Sequence, residues 1–535
     1  MEKGRVISLI DLIPRVKDLI AQHHVPGVSI AVVQNDQISS AGFGSASIEP
    51  PIPCTAETLF DIASCAKSMT AASVALLVGD KERYPGITYD AIMSNLLPED
   101  FVMSGSELTE GVMVEDLLSH RTGMAAHDNS YFGVRAEHPD NARSITRNLR
   151  NLTAAAPVRS RYLYCNMMYT VLTHLIEEKT EKSFADFLEE EIFMPLDMTS
   201  SNLQPANAKK KGLGSRIATG YMWDKASGYR ECQCADCPEG QGAGSIVSSA
   251  NDFIKWVKAL MNQEGPVTPK VYNGLLKQRS FPNHHPARLR PFTSPPIYAA
   301  GMEIYYYRGH MVVGHDGNVP GFGARFAFIP DIKFGTVVLG NSSEAGIVSG
   351  MLIRELIDDA LGVPEAERAG RAKNRRPNTD VSVRTERKGK QKTKVAQNPK
   401  LNQGGDRKHN AHRPSDHRSQ PADSPEPQTK PLDQYTGRYW NAGYRGMNVR
   451  IVNDQLFIDA SDRAMGFTLT FHHLSNQTQY VAYLVDSIEG GNDRIEAEFV
   501  FKDDQVVAMG LRLEQSLKDL IWFEKMNSAT ETDGR

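Results

Sequence analysis

The stretch Leu59-Phe60-Asp61-Ile62-Ala63-Ser64-Cys65-Ala66-Lys67-Ser68-Met69-Thr70 decides how this chain is read. At the start of a helix, Ser64 and Lys67 share one face, a turn apart. A helix start supplies backbone N–H groups without partners and favours negative charge. Burial disfavours an ammonium ion, so a lysine enclosed there can lose its proton. A neutral amine beside a serine hydroxyl is a base beside a nucleophile. An ordinary solvated helix face presents the same spacing, so its meaning depends on the rest of the chain.

Two further stretches bear on it. Tyr162-Leu163-Tyr164-Cys165-Asn166 leads into the helical run that begins at Met167. From a loop ahead of that helix, Tyr164 can present its phenol to a cleft. Beside a lysine its pKa is expected to fall, so that it could act first as base and then as acid. The Asn166 amide can bind a substrate carbonyl and bridge to Lys67. The second stretch is Gly314-His315-Asp316-Gly317-Asn318, followed by Val319-Pro320-Gly321-Phe322. Glycine lets backbone approach a ligand closely, and the N–H groups of Asn318 and Ser64 can together hold an oxyanion. Taken singly, each has a plainer reading: a packed tyrosine with a helix cap, and a glycine-rich hairpin.

In this order, Ser64/Lys67, Tyr164/Asn166 and His315/Gly317 resemble the S-x-x-K, Y-x-N and K/H-x-G pattern of the serine β-lactamase-like family. That family includes class C β-lactamases, penicillin-binding DD-peptidases, esterases, D-amino-acid peptidases and some fungal acyltransferases. Leu117–Gly123, Ile192–Thr199, Gly242–Ser249 and Pro320-Gly321-Phe322 are also similar to it, so the resemblance covers about residues 10–360. It implies catalytic roles for Ser64, Lys67 and Tyr164 and substrate-binding roles for Asn166, His315, Gly317 and Asn318, with no metal and no cofactor. His315 stands where β-lactamases carry a lysine. Histidine is mostly neutral near pH 7, which favours esters, thioesters or amides over carboxylate-bearing β-lactams.

Strand-like runs at Gly27–Val33 and Gln37–Ser45 open the segment, and others at 297–307, 311–314, 324–329 and 335–339 close it. Helical patterns fill 60–262, and helices are expected at Leu9–His24 and Ala345–Leu361. The expected fold is α/β: a β-lactamase/transpeptidase-like antiparallel sheet assembled from both ends, with a large helical insertion and a cleft between the two parts. This hydrolase domain is set at 1–362. Residues 363–430 are poor in large apolar side chains and rich in Arg, Lys, Asn, Gln, Pro and Ser, so they are read as a disordered basic linker. Strand-like runs at 447–451, 455–458, 467–472, 480–485, 495–501 and 506–513 imply a small antiparallel β-barrel at 431–527. It resembles, more weakly, the lipocalin-like domains on some family members, and it is expected to pack on or cap the first domain.

Lys+Arg 60 against Asp+Glu 64 gives a net charge of -4, so nothing global calls for nucleic acid or an anionic membrane. The apolar run from Val6 is broken by Asp11 and Arg15, too early for a signal sequence, and no run is long enough to span a bilayer. A soluble cytoplasmic protein is expected, with a small acyl substrate as its partner. The oligomeric state is left open. Of the 6 cysteines, Cys65 and Cys165 read as small buried side chains. Cys232, Cys234 and Cys237 could bind zinc with His284 or His285, but their spacing fits no standard zinc pattern. Three readings compete with a hydrolase: an acyltransferase acting on a secondary metabolite, a non-catalytic scaffold, and a nucleic-acid partner held by the linker. Limited proteolysis of the native protein should cut first within residues 365–430 and release a catalytic fragment and a small β fragment. Protection there with cuts elsewhere would contradict the linker.

Overall fold

The run Gly27-Val28-Ser29-Ile30-Ala31-Val32-Val33 has no polar face, which suits a strand covered on both sides. In a computed structural model that describes residues 7–282, 289–368 and 426–526, it becomes strand β1 (Gly27–Gln34), buried along nearly its whole length. Asn35 and Asp36 adopt positive φ and turn the chain into β2 (Gln37–Ser47). After β3 (Ile52–Pro53) the chain leaves the sheet. It returns as β4 (Ile297–Tyr298), β5 (Glu303–Tyr307), β6 (His310–Val319), β7 (Phe322–Ile329) and β8 (Phe334–Gly340). The sheet order is β3-β2-β1-β8-β7-β6-β5-β4, and β1 pairs antiparallel with β8. Both ends of the segment therefore form one sheet.

Side-chain alternation divides the core. Val28, Ile30 and Val32 face helices α1 (Ile13–Gln22) and α5 (Ala345–Ala360), meeting Val16, Leu19, Leu352 and Leu356. Ala31 and Val33 face the helical insertion. There α2 (Lys67–Gly79) is buried nearly all round, packed near α3 (Met167–Thr180) and α4 (Ala250–Asn262). Small residues (Ala71, Ala72, Ser73, Ala75) let neighbours close on α2, and Trp256 of α4 donates its indole N–H to Ser68 Oγ at 3.0 Å. Helix α1 is shorter than the apolar pattern predicts because Pro14 sits in its first turn. Strand β6 is longer than predicted: it runs unbroken through His315, Gly317 and Asn318, because pairing with β7 continues across the glycines.

The C-terminal part is a closed antiparallel barrel of eight strands: β9 (Gly437–Asn441), β10 (Arg445–Val452), β11 (Gln455–Ala460), β12 (Phe467–Ser475), β13 (Gln479–Asp486), β14 (Gly490–Lys502), β15 (Gln505–Leu511) and β16 (Ile521–Lys525). Strands β9 and β16, which close it, are short, and Trp440 and Trp522 leave their sequences without a plain alternation. Tyr435, Tyr439, Phe471, Tyr480 and Phe499 fill its interior with ring contacts. The barrel packs on the helical insertion. Ala464 N–H donates to Tyr131 O at 3.0 Å, Asn148 Nδ2 to Gly443 O at 2.9 Å, and Arg445 pairs with Asp140 at 2.5 Å.

Of the linker assigned to 363–430, residues 369–425 lie outside the described residues. At its near end Arg368 pairs with Asp359 at 2.7 Å, and at its far end Glu426 N–H donates to Leu474 O at 2.9 Å.

One buried side chain ties the sheet to the insertion. Asn341, just after β8, accepts from Gly27 N–H at 2.8 Å and donates to Ser45 O, Ala46 O and Thr219 O at 2.9–3.1 Å. Asn341→Ala leaves these groups buried without partners, so it should destabilise the fold by about 2–4 kcal/mol. Urea denaturation checks this, and a loss below about 0.5 kcal/mol would contradict it.

Candidate active site

Ser64 lies in a tight 3-10 turn, Ala63–Ala66, immediately before α2. Ala63 takes a φ of 47°, in the left-handed region that non-glycine residues rarely occupy. Asp61 holds this turn, its Oδ1 accepting the Ala63 N–H at 2.7 Å. Burial raises the Asp61 carboxyl to about 6. Every neighbour of Ser64 from Asp61 to Thr70 is buried, while Ser64 itself is half-buried and reachable.

Lys67, the first residue of α2, is fully buried. Its Nζ donates to Ser64 Oγ at 3.0 Å, Asn166 Oδ1 at 2.9 Å and Ala243 O at 2.7 Å. It also stands 4.9 Å from the Tyr164 ring centre and 5.4 Å from that of Tyr169. Loss of water brings its pKa down to about 7, against the opposing pull of the Asp128 carboxylate. The Tyr164 hydroxyl donates to Ser64 Oγ at 2.9 Å. Its pKa does not fall as the sequence led us to expect. Burial drives it well above 10, outweighing the Ser64 hydrogen bond. At neutral pH the phenol therefore keeps its proton, and Lys67 is the group able to take one.

The sequence-predicted substrate-binding residues divide into those at Ser64 and those behind it. Asn166 bridges Lys67 and Asp128, donating from Nδ2 to Asp128 Oδ1 at 3.3 Å. Gly317 brings β6 against the Ser64 turn. A Cβ there would lie 2.4 Å from Ile62 O and 2.9 Å from Ser64 N, so any larger residue would push the strand away. Asn318 turns its side chain to the other face, where Nδ2 donates to Phe322 O at 3.2 Å and Ser343 O at 3.1 Å. Its amide side chain is thus engaged away from Ser64, and any part it plays in binding falls to its main chain.

His315 is buried, with both ring nitrogens engaged. His120, Tyr298 and His315 form one chain. His120 Nδ1 accepts from Cys165 N–H at 3.1 Å, so its Nε2–H faces Tyr298 Oη at 3.2 Å. Tyr298 Oη also lies 3.0 Å from His315 Nε2, and His315 Nδ1–H donates to the Asp316 carbonyl at 2.5 Å. The His120 ring also packs at 4.2 Å on that of Tyr164.

Sequence reasoning missed His120, Tyr298, Asp128 and Ala243. His120 lies within Leu117–Gly123, a stretch already noted as family-like, and that was the available signal. Ala243 lies within Gly242–Ser249, likewise noted as family-like, but it contributes only a carbonyl, which no side chain announces. Cys65 and Cys165 are buried, with thiols donating to His315 O and Ala125 O at 3.4 and 3.3 Å. Burial pushes both thiols up. Cys232 Sγ faces Pro320 O at 3.4 Å and Cys234 Sγ faces Asp61 Oδ2 at 4.0 Å. Among the described residues no group of three ligating side chains is placed to hold a metal. His284 and His285 lie outside them.

A nucleophilic hydroxyl, an amine with a lowered pKa and a phenol that keeps its proton, all within hydrogen-bond reach, are the working parts of an acyl-enzyme hydrolase. Residues 12–359 match the Beta-lactamase family, and residues 421–525 match a domain of unknown function, DUF3471. The chain belongs to the Beta-lactamase family and is a serine hydrolase of it. It is 32% identical over 517 residues to an unguisins hydrolase of Aspergillus campestris, covering 95% of this chain and 90% of that protein. A D-aminopeptidase of Brucella melitensis is 27% identical over 353 residues, covering 64% of this chain and 61% of that protein. The octameric penicillin-binding protein homologue from Pyrococcus abyssi has the same fold, with a TM-score of 0.58 at 20% identity over 97% of this chain and all of that one. D-amino acid amidase from Ochrobactrum anthropi superposes with a TM-score of 0.53 at 23% identity, over 66% of this chain and 97% of that one. No helix among the described residues is long and apolar enough to cross a membrane.

With Lys67 as proton acceptor, Ser64 reacts fastest when the amine is neutral. The rate of labelling by a fluorophosphonate probe should therefore rise with pH, with a midpoint near the Lys67 value of about 7. Lys67→Met should lower the plateau by about 10²–10⁴-fold. A rate flat between pH 5 and 9 would remove Lys67 as the base.

Proposed function

We propose that this protein is an acyl-enzyme amidohydrolase acting on small peptides, with Ser64 as nucleophile, Lys67 as base and Tyr164 as proton donor. The observation that carries this reading is the convergence of Lys67 Nζ and Tyr164 Oη on Ser64 Oγ, at 3.0 and 2.9 Å. Lys67 takes the Ser64 proton as Oγ bonds to the substrate carbonyl carbon. The N–H groups of Ser64 and Asn318 hold the resulting oxyanion. When the C–N bond breaks, Tyr164 protonates the leaving nitrogen and is reprotonated from Lys67. Water then attacks the ester. Lys67 takes its proton and Ser64 Oγ departs, regaining a hydrogen.

The substrate class rests on the relatives. The relatives include an unguisins hydrolase and a D-aminopeptidase, the first aligned over 95% of this chain and the second over 64%. His315 adds an argument against carboxylate-bearing lactams: an imidazole is no permanent cation, and both its ring nitrogens are already engaged. Asn166 retains an amide beside Lys67, suited to a substrate carbonyl. A cytoplasmic location belongs to the same proposal, supported by cysteines that are all free.

The test is turnover by wild type and Ser64→Ala of three substrates: an unguisin, a D-alanyl anilide and a chromogenic cephalosporin. Wild type should add one water to the unguisin or cleave the anilide, with kcat/KM at least about 10-fold above that for the cephalosporin, a difference of about 1.4 kcal/mol. Ser64→Ala should lose both activity and the acyl adduct seen by mass spectrometry. Efficient cephalosporin hydrolysis with the amides inert would overturn the substrate class. Activity in Ser64→Ala would overturn the nucleophile.

A further inference from the structure

His127 occupies an unusual position. It takes a φ of 49°, in the left-handed region, and immediately precedes the short 3-10 turn Asp128–Ser130. Such a conformation persists in a non-glycine residue only where its surroundings over-determine it. Here two of those surroundings belong to the C-terminal barrel. The His127 N–H donates to Glu514 Oε2 at 3.0 Å, and the Tyr444 hydroxyl lies 2.8 Å from His127 Nδ1. The third is local: Nε2 lies 2.8 Å from Thr153 O, a carbonyl that can only accept. Nε2 therefore carries the proton and Nδ1 accepts from Tyr444. Glu514 is held in turn, its Oε1 accepting from the Ser516 N–H and hydroxyl at 2.9 and 2.7 Å.

His127 immediately precedes Asp128, the first residue of that turn. The Asp128 carboxylate accepts from Asn166 Nδ2, and Asn166 Oδ1 accepts from Lys67 Nζ. A continuous set of contacts thus runs from the barrel to the base: Tyr444 and Glu514, His127, Asp128, Asn166, Lys67. We propose that Tyr444 and Glu514 of the barrel are positioning residues for the Ser64 site, fixing His127 so that Asp128 places a negative charge beside Lys67. The proposal rests on the reading of Lys67 as base.

The charges around this pair set the sign. Asp128 is faced by Lys67 of α2, by Asn166, by Tyr131 and, across the domain boundary, by Glu514. Lys67 is faced by Asp128 and by the buried thiols of Cys65 and Cys165. Burial lifts Asp128 to about 6, so it is ionised where Lys67 titrates. Its charge favours the ammonium form of Lys67 and opposes the effect of burial. Removing or displacing that charge makes Lys67 neutral at lower pH. A residue that only glued the domains together would change stability and plateau rate without moving this midpoint.

The experiment follows fluorophosphonate labelling of the full chain from pH 5 to 9, reading the midpoint of the rise. Asp128→Asn keeps an acceptor for Asn166 and should move the midpoint down by about 0.5–1 pH unit. Tyr444→Phe, which removes one hydroxyl, should move it in the same direction by a smaller amount. Glu514→Ala is a second barrel variant should Tyr444→Phe fail to fold. Arg445→Ala breaks the Asp140 pair elsewhere on the same interface and should lower the melting temperature with the midpoint unmoved. Barrel variants that fold and keep the wild-type midpoint would overturn the proposal, as would an unmoved midpoint in Asp128→Asn or an equal shift in Arg445→Ala. A wild type with no rise in rate, or labelling of Ser64→Ala, would instead overturn the underlying reading of the base and nucleophile.

Discussion

A lysine with no water around it is the constraint on which this structure turns. Lys67 begins a helix that is buried nearly all round, and its three ammonium hydrogens are spoken for by Ser64, Asn166 and the Ala243 carbonyl. Desolvation makes the charged form costly, while the polar partners keep the buried amine from being ruinous to the fold. The outcome is a group that titrates near neutrality. Each partner comes from a different segment, so the site exists only when the Ser64 turn, the start of α3 and the loop around Ala243 are assembled together.

The surroundings of Lys67 follow from that requirement. Small side chains on α2 let neighbours close around it, and Trp256 secures the helix through Ser68. Gly317 lets a sheet strand press directly on the turn that holds Ser64. Behind them, His120, Tyr298 and His315 form a hydrogen-bonded chain. The position of His315 illustrates how one substitution changes a site. A lysine there would carry a charge into a buried chain, whereas histidine joins it as one donor and one acceptor.

The barrel gives the same logic a longer reach. Its interior is packed with aromatic rings, so its part in the molecule lies on its outer surface, where Arg463, Tyr444 and Glu514 meet the insertion. Arg463 is almost fully buried over the Phe132 ring and donates to Tyr444 O and Gly446 O. What crosses to the insertion is its guanidinium over the Phe132 ring and the backbone bridge between Phe132 and Arg463. The consequence is that loop 125–133 is shaped from both sides.

The sequence by itself determined the architecture and pointed to Ser64, Lys67 and Tyr164, the three side chains of the proposed mechanism. A short, β-branched run with no polar face suits an internal strand, and residues spaced by helical turns keep that spacing wherever the helix lies. Ser64 and Lys67 were therefore legible, as were Tyr164 and Asn166 just ahead of α3. Only the tertiary structure decided what those groups are chemically. Whether Lys67 or Tyr164 accepts the proton depends on burial and on neighbours as remote as Asp128, and burial acts on the two in opposite senses, lowering the amine and raising the phenol. The closing strands β9 and β16, the Ala243 carbonyl and the His127 contacts were likewise out of reach. They depend on pairings between distant residues and on backbone atoms, which leave no periodic or side-chain signal in a single chain.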